Sequence, residues 1–122
     1  HITILYGIHK DVDDDQVISM FSDLTKNDFD IFVNGIDCFH NDEFDVLKLN
    51  LESSELIKLN KLSRLLNHSN NFPTYDPHLT IAYLNKGMGN KYSDTTFHTK
   101  INNINKIVYS KTNGEKIFIP VY

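Results

Sequence analysis

The stretch His78-Leu79-Thr80-Ile81-Ala82-Tyr83 restates His1-Ile2-Thr3-Ile4-Leu5-Tyr6: His, Thr, Ile and Tyr stand in the same places, and an aliphatic side chain fills the second position of both. Alternate residues of an extended chain point to opposite sides, so each stretch predicts a strand with His and Thr on one face. The first strand is expected over residues 1–7, ending at Gly7, and the second over residues 78–84. A repeat of this kind predicts two related strand-and-helix halves.

The spacing sets the chemistry. Each imidazole has a hydroxyl beside it, and two such strands brought together offer four groups at one place. A His pair can supply both a base and an acid near neutral pH. Threonine hydroxyls can donate hydrogen bonds to the non-bridging oxygens of a phosphodiester. Such a set, His1, Thr3, His78 and Thr80, needs no metal and no cofactor, and neither is expected.

Working outward, Asp13 followed by Gln16 reads as a capping box, and Val17, Met20, Phe21 and Leu24 recur at helical spacing, predicting a helix over residues 14–25. The run Asp11, Asp13, Asp14 and Asp15 suits that helix's first turn better than it suits a cation. Two strands, about 29–39 and 43–51, flank the polar turn His40-Asn41-Asp42, with Leu47, Leu49 and Leu51 facing inward. Ser53 or Ser54 caps a second helix over about 54–67, whose stripe is Leu56, Leu59, Leu62 and Leu66. The stretch 68–77 reads as a shaped loop. After the second motif come a turn at Lys86-Gly87-Met88-Gly89 and a polar loop through Thr96. The Asn113-Gly114 pair joins a last hairpin of strands, about 104–111 and 115–121. This order describes an α+β fold, one domain over residues 1–122.

The 122 residues, 40% of them apolar, suffice for one core. A net charge of −4 without a basic cluster argues against binding to long duplex nucleic acid. A small nucleotide or short oligonucleotide is the expected partner. No apolar run is long enough for a membrane helix. Cys38 stands alone, with no partner read at zinc-ligand spacing, which favours a buried strand position and a reducing cytoplasm.

The paired His-x-Thr motifs, the Tyr-Asp-Pro-His lead-in at Tyr75 to His78, the Ile-Ala-Tyr-Leu after Thr80, the Asp-Val-Leu-Lys of Asp45 to Lys48 and the Asn-Asn-Phe-Pro of Asn70 to Pro73 together resemble the 2H phosphoesterase superfamily, which includes cyclic phosphodiesterases and 2′-5′ RNA ligase-like proteins. The likeness is to small phage and bacterial members and spans nearly the whole chain. It implies a bilobal fold with two pseudo-symmetric strand/helix lobes around a central groove. It further implies a hydrolase acting on a 2′,3′-cyclic, 2′-5′ or cyclic-oligonucleotide phosphodiester. Some phage relatives degrade the cyclic nucleotide signals of bacterial immunity (anti-CBASS nucleases). In that family a strand usually precedes the first motif, so an upstream strand is expected before His1.

Beyond the four motif residues, Tyr75, His68 and Phe72 are candidates for stacking on a base from the loop before the second motif. Lys86 and Lys48 are candidates for meeting phosphate, Lys48 if the face opposite Leu47 and Leu49 lines the groove. Tyr6 and Tyr83 are expected to pack on the face opposite the motif pairs. His9, His40 and His98 carry no motif and read as structural. The competing readings are a sponge that binds a nucleotide without cutting it and a domain appended to a larger phage protein. Oligomeric state is left open by these residues.

Overall fold

The computed structural model describes residues 1–25, 29–92 and 95–122, with Phe97 described through its backbone alone. Among these residues run α1 (Asp14–Phe21), β1 (Ile31–His40), β2 (Phe44–Glu52), α2 (Ser54–Ser63), β3 (His78–Asn85), β4 (Thr95–Ile101), β5 (Lys106–Ser110) and β6 (Lys116–Pro120). The fold is α+β. Four antiparallel strands form one sheet in the order β3-β2-β1-β4, and β5 and β6 form a separate hairpin.

Local chemistry explains the boundaries. The Asp13 side chain accepts from the Asp15 N–H at 3.1 Å and caps α1, whose first turn carries Asp14 and Asp15. The helix stops at Phe21, earlier than expected, and Leu24 packs against the core from beyond its end. Ser53 caps α2 by accepting from the Leu56 N–H at 3.2 Å. At roughly 100° per residue, the buried face passes through Leu56, Leu59, Asn60 and Ser63, leaving Leu62, expected in the core, 39% exposed. In the turn between β1 and β2, Asn41 Oδ1 accepts from the N–H groups of Glu43 and Phe44, both at 2.8 Å. The β5–β6 turn places Gly114 at φ 90°, the left-handed region that the Asn-Gly pair supplies.

One core joins the elements: Val17 and Phe21 from α1, Ile31 and Val33 from β1, Leu51 from β2, Leu56 and Leu59 from α2, and Tyr109 and Ile119 from the hairpin. Ile31 is 1% exposed, and its burial is worth roughly 1.5–3 kcal/mol. Leu47 and Leu51 are buried and Leu49 packs against the core, in the alternation expected of β2. No helix among the described residues is long and apolar enough to cross a membrane.

Two elements differ from expectation. β4 occupies part of what reads as a polar loop; the Ser93-Asp94 portion of that loop lies outside the described residues. Its sequence, Thr-Thr-Phe-His-Thr-Lys-Ile, lacks apolar alternation because β4 is an edge strand pairing through its backbone with β1. Residues 1–7, conversely, do not form a continuous ladder. That segment makes an antiparallel bridge between Ile2 and Leu79, and Ile8 bridges His68.

Candidate functional site

The Ile2–Leu79 bridge sets the geometry of the two motifs. In an antiparallel pair, neighbours on either side of a bridge also face each other, so Thr3 lies opposite His78 and His1 opposite Thr80. Directly opposed residues share a face. Ile2 and Leu79 pack against the core, while His1, Thr3 and His78 are exposed and Thr80 is half-buried. The four motif groups therefore stand on one outward face, with the two histidines diagonal to each other, roughly 7–8 Å apart at the backbone.

Side chains, not a ladder, hold the first motif. Tyr75 Oη donates to the Thr3 carbonyl at 2.7 Å, and Asn60 Nδ2 donates to the Ile4 carbonyl at 2.8 Å. Asn60 is buried, and its own oxygen accepts from Arg64 Nε at 3.0 Å. Gly7 then turns at φ 82°, bringing its carbonyl to the Ser69 N–H at 2.9 Å; a Cβ there would meet Ser69 Oγ at 2.7 Å.

His78 is fixed differently. Its Nδ1 lies 3.0 Å from the Asp76 carbonyl oxygen. A carbonyl only accepts, so Nδ1 carries the proton and the neutral ring keeps its lone pair on Nε2.

The strand registers extend this face. β2 sets Asn50 beside His78 and Lys48 beside Thr80, and β1 sets Asp37 beside Lys48. Lys48 thus stands next to the second motif, on the face opposite Leu47 and Leu49. Between Thr80 and Ala82 the register slips: Lys48 pairs with Thr80 and Leu47 with Ala82, leaving Ile81 as a bulge. The bulge reverses the alternation, so Tyr83 pairs with Val46 and joins the motif face, in a row with Phe39. Tyr83 is 70% exposed and meets Phe44 edge to face, its ring centroid 5.4 Å away. The expectation that Tyr83 packs inward is therefore corrected. Tyr6 is also exposed, touching Phe72 edge to face at 6.1 Å.

The remaining candidates separate. Tyr75 is half-buried, and burial pushes its phenol up to about 12; with its hydroxyl on the Thr3 carbonyl it positions the first motif. His68 Nδ1 donates to the Leu66 carbonyl at 2.7 Å and clamps the loop. Phe72 is exposed beside Tyr6. Lys86 follows the far end of β3, eight residues beyond His78 and roughly 25 Å along the chain, with Nζ 3.4 Å from the Asp42 carbonyl, so it does not join the motif residues. Asn50, which sequence reasoning missed, stands beside His78; only the strand register reveals it.

A cleft of about 720 Å³ lies on the other side of residues 1–8, between them and the β5–β6 hairpin. Ile2, Ile4, Phe21, Ile104 and Ile107 make it apolar; His1 and Thr3 of the first motif border it, and His78 and Thr80 of the second do not. It reaches core residues Val17, Phe21 and Ile31 and adjoins the motif face through the first motif alone.

The acidic run has structural employment. Asp13 is a cap, and Asp14 accepts from Lys111 Nζ at 2.8 Å, which ties the hairpin to α1 and raises the lysine's pKa. Cys38 is not isolated: His40, two residues along β1, brings Nδ1 3.9 Å from its sulfur and 2.8 Å from Asp45 Oδ1. The reading of Cys38 without a neighbour at ligand spacing is corrected, because i and i+2 on a strand share a face. Asp45 has no exposed surface, and the Gly89 N–H, at 2.8 Å, and the His40 ring hold its carboxyl below the usual range.

Comparisons of the chain with protein-family models, curated proteins and solved structures find no match.

Proposed function

We propose that the chain is a metal-independent phosphodiesterase of the 2H type, acting on a small nucleotide or short oligonucleotide. The observation that supports this reading is the Ile2–Leu79 bridge, which sets the two His-x-Thr segments side by side. In this reading the two lobes are the four-stranded sheet with α2 and the N-terminal segment with α1 and the β5–β6 hairpin.

His78, with Nε2 unprotonated, takes the proton from an attacking water or ribose hydroxyl as its oxygen bonds to phosphorus. His1, protonated, gives its proton to the leaving oxygen as the second P–O bond breaks. The exchange leaves each ring in the other's starting state, and proton transfer through solvent resets them. Thr3 and Thr80 donate to the non-bridging oxygens, and Lys48 adds positive charge beside Thr80. Tyr83 and Phe39, one row beyond Lys48, offer aromatic surface to a base. Substrates consistent with this arrangement carry 2′,3′-cyclic, 2′-5′ or cyclic-oligonucleotide linkages, among them nucleotide immune signals.

The test is incubation with a panel of such substrates in EDTA, resolved by chromatography, with His78→Ala in parallel. Product formation that survives EDTA and requires His78 supports the reading. Retention of one ligand without turnover would replace it with a nucleotide sponge, and turnover unaffected by His78→Ala would overturn it.

A further inference from the structure

We propose that Cys38, His40 and Asp45 form a binding site for a borderline divalent ion of the zinc class, separate from the motif face. Cys38 and His40 lie two residues apart on β1, and β2 sets Asp45 opposite His40, so all three side chains share the inner face of the sheet. Their donor atoms lie within 4.8 Å of one another.

The ring orientation separates a metal site from a nucleophile relay. A thiol–imidazole–carboxylate relay uses opposite ring nitrogens, one toward sulfur and one toward oxygen. Here Nδ1 alone faces both Cys38 Sγ, at 3.9 Å, and Asp45 Oδ1, at 2.8 Å. Three donors aimed at one point are what a cation requires. Tetrahedral zinc with its usual bond lengths places nitrogen, oxygen and sulfur ligands roughly 3.3–3.7 Å apart, so the His40–Asp45 and Cys38–His40 separations would each adjust by about half an ångström or less, and Cys38 and Asp45 lie within 4.8 Å of each other.

The surroundings supply orientation and access. The Gly89 N–H holds Asp45 Oδ2 at 2.8 Å, leaving Oδ1 toward His40, the kind of outer contact that aims a ligand. Gly89 lies close over the cluster: a Cβ there would collide with Cys38 Sγ. The His40 side chain is 50% exposed and leaves room for water as a fourth ligand. Thiolate, imidazole and carboxylate together favour zinc over calcium or magnesium. Asp45 lies five residues from Asn50, the partner of His78, roughly 17 Å along β2 and on the opposite face. The ion would clasp β1 to β2 at the end of their hairpin, beside the Gly89 N–H that holds Asp45, and take no part at His78.

The experiment is titration of the reduced full chain with Co²⁺ as the spectroscopic probe. The expected result is one equivalent bound, with intense tetrahedral d–d bands and a thiolate-to-cobalt charge-transfer band. Cys38→Ser should lose the charge-transfer band. His40→Gln, at a half-exposed position that keeps the fold by circular dichroism, should weaken binding by at least the roughly 10–100-fold that losing an outer contact costs. His1→Ala controls for chelation by an exposed imidazole elsewhere in the chain and should bind as the parent does. Weak octahedral bands without charge transfer, binding unchanged in His40→Gln, or binding lost in His1→Ala would each overturn the site.

Discussion

Tyr75 Oη donates a 2.7 Å hydrogen bond to the carbonyl oxygen of Thr3, so the residue three places before the second motif holds the backbone of the first. Tyr75→Phe should keep the fold, cost about 1 kcal/mol of stability and loosen the His1–Thr3 segment. A fall in kcat larger than the change in KM, measured on whichever substrate the nucleotide panel yields, is the expected signature.

The same residue has a pH signature. Burial raises its phenol from the ordinary 10.0 to about 12 in the folded chain. Its stabilising contribution is therefore full below about 10 and is lost as pH rises from there to about 12. Absorbance titration of tyrosinate should show one late-ionising group that disappears in Tyr75→Phe. Ionisation of all tyrosines together near the ordinary value would contradict this.

His78→Ala should lower kcat by roughly 10²–10⁴-fold, the usual contribution of a positioned acid or base, without lowering the melting temperature, because the ring is exposed. A parallel melting curve and rate measurement separate loss of chemistry from loss of fold.

Asn60 is buried, spans the Ile4 carbonyl and the Arg64 guanidinium, and sits on the inner face of α2. Asn60→Leu should destabilise the chain by about 1–3 kcal/mol, since the Ile4 carbonyl loses its partner. Urea denaturation reads this directly as a lower midpoint at unchanged slope.

Tyr83→Ala should weaken binding of a short oligonucleotide by roughly 1–3 kcal/mol per stacked base, while leaving stability nearly unchanged at a 70% exposed position. Quenching of a 2-aminopurine-labelled dinucleotide measures this without requiring turnover. Equal quenching by parent and variant would remove Tyr83 from the binding face.

Much of this was legible in the sequence, for reasons that can be named. The Asn113-Gly114 turn, the Ser53 cap and the Leu47, Leu49, Leu51 alternation are local signals, carried by residues close together in the chain. The pairing of the motifs was readable because the repeat itself is a local pattern seen twice. What escaped depends on register. β4 has an edge strand's polar sequence and takes its place by pairing with β1. Asn50 reaches His78 only through the β2–β3 alignment, and Lys86 looked close in sequence to Thr80 yet follows the far end of β3. Cys38 and His40 share a face by simple parity, but Asp45 joins them only once the hairpin closes.

The bulge at Ile81 has a consequence for how any ligand meets this surface. One unpaired residue turns Tyr83 outward beyond the second motif, while residues 1–7 make a single bridge rather than a ladder and Tyr6 leans on Phe72. The two halves of the repeat, alike as written, are thus unlike as built. A chain molecule with two different ends, laid across the motifs, would find Tyr83 standing from a sheet strand on one flank and Tyr6 braced by a loop phenylalanine near the other, so the surface has a polarity that the repeated sequence does not announce.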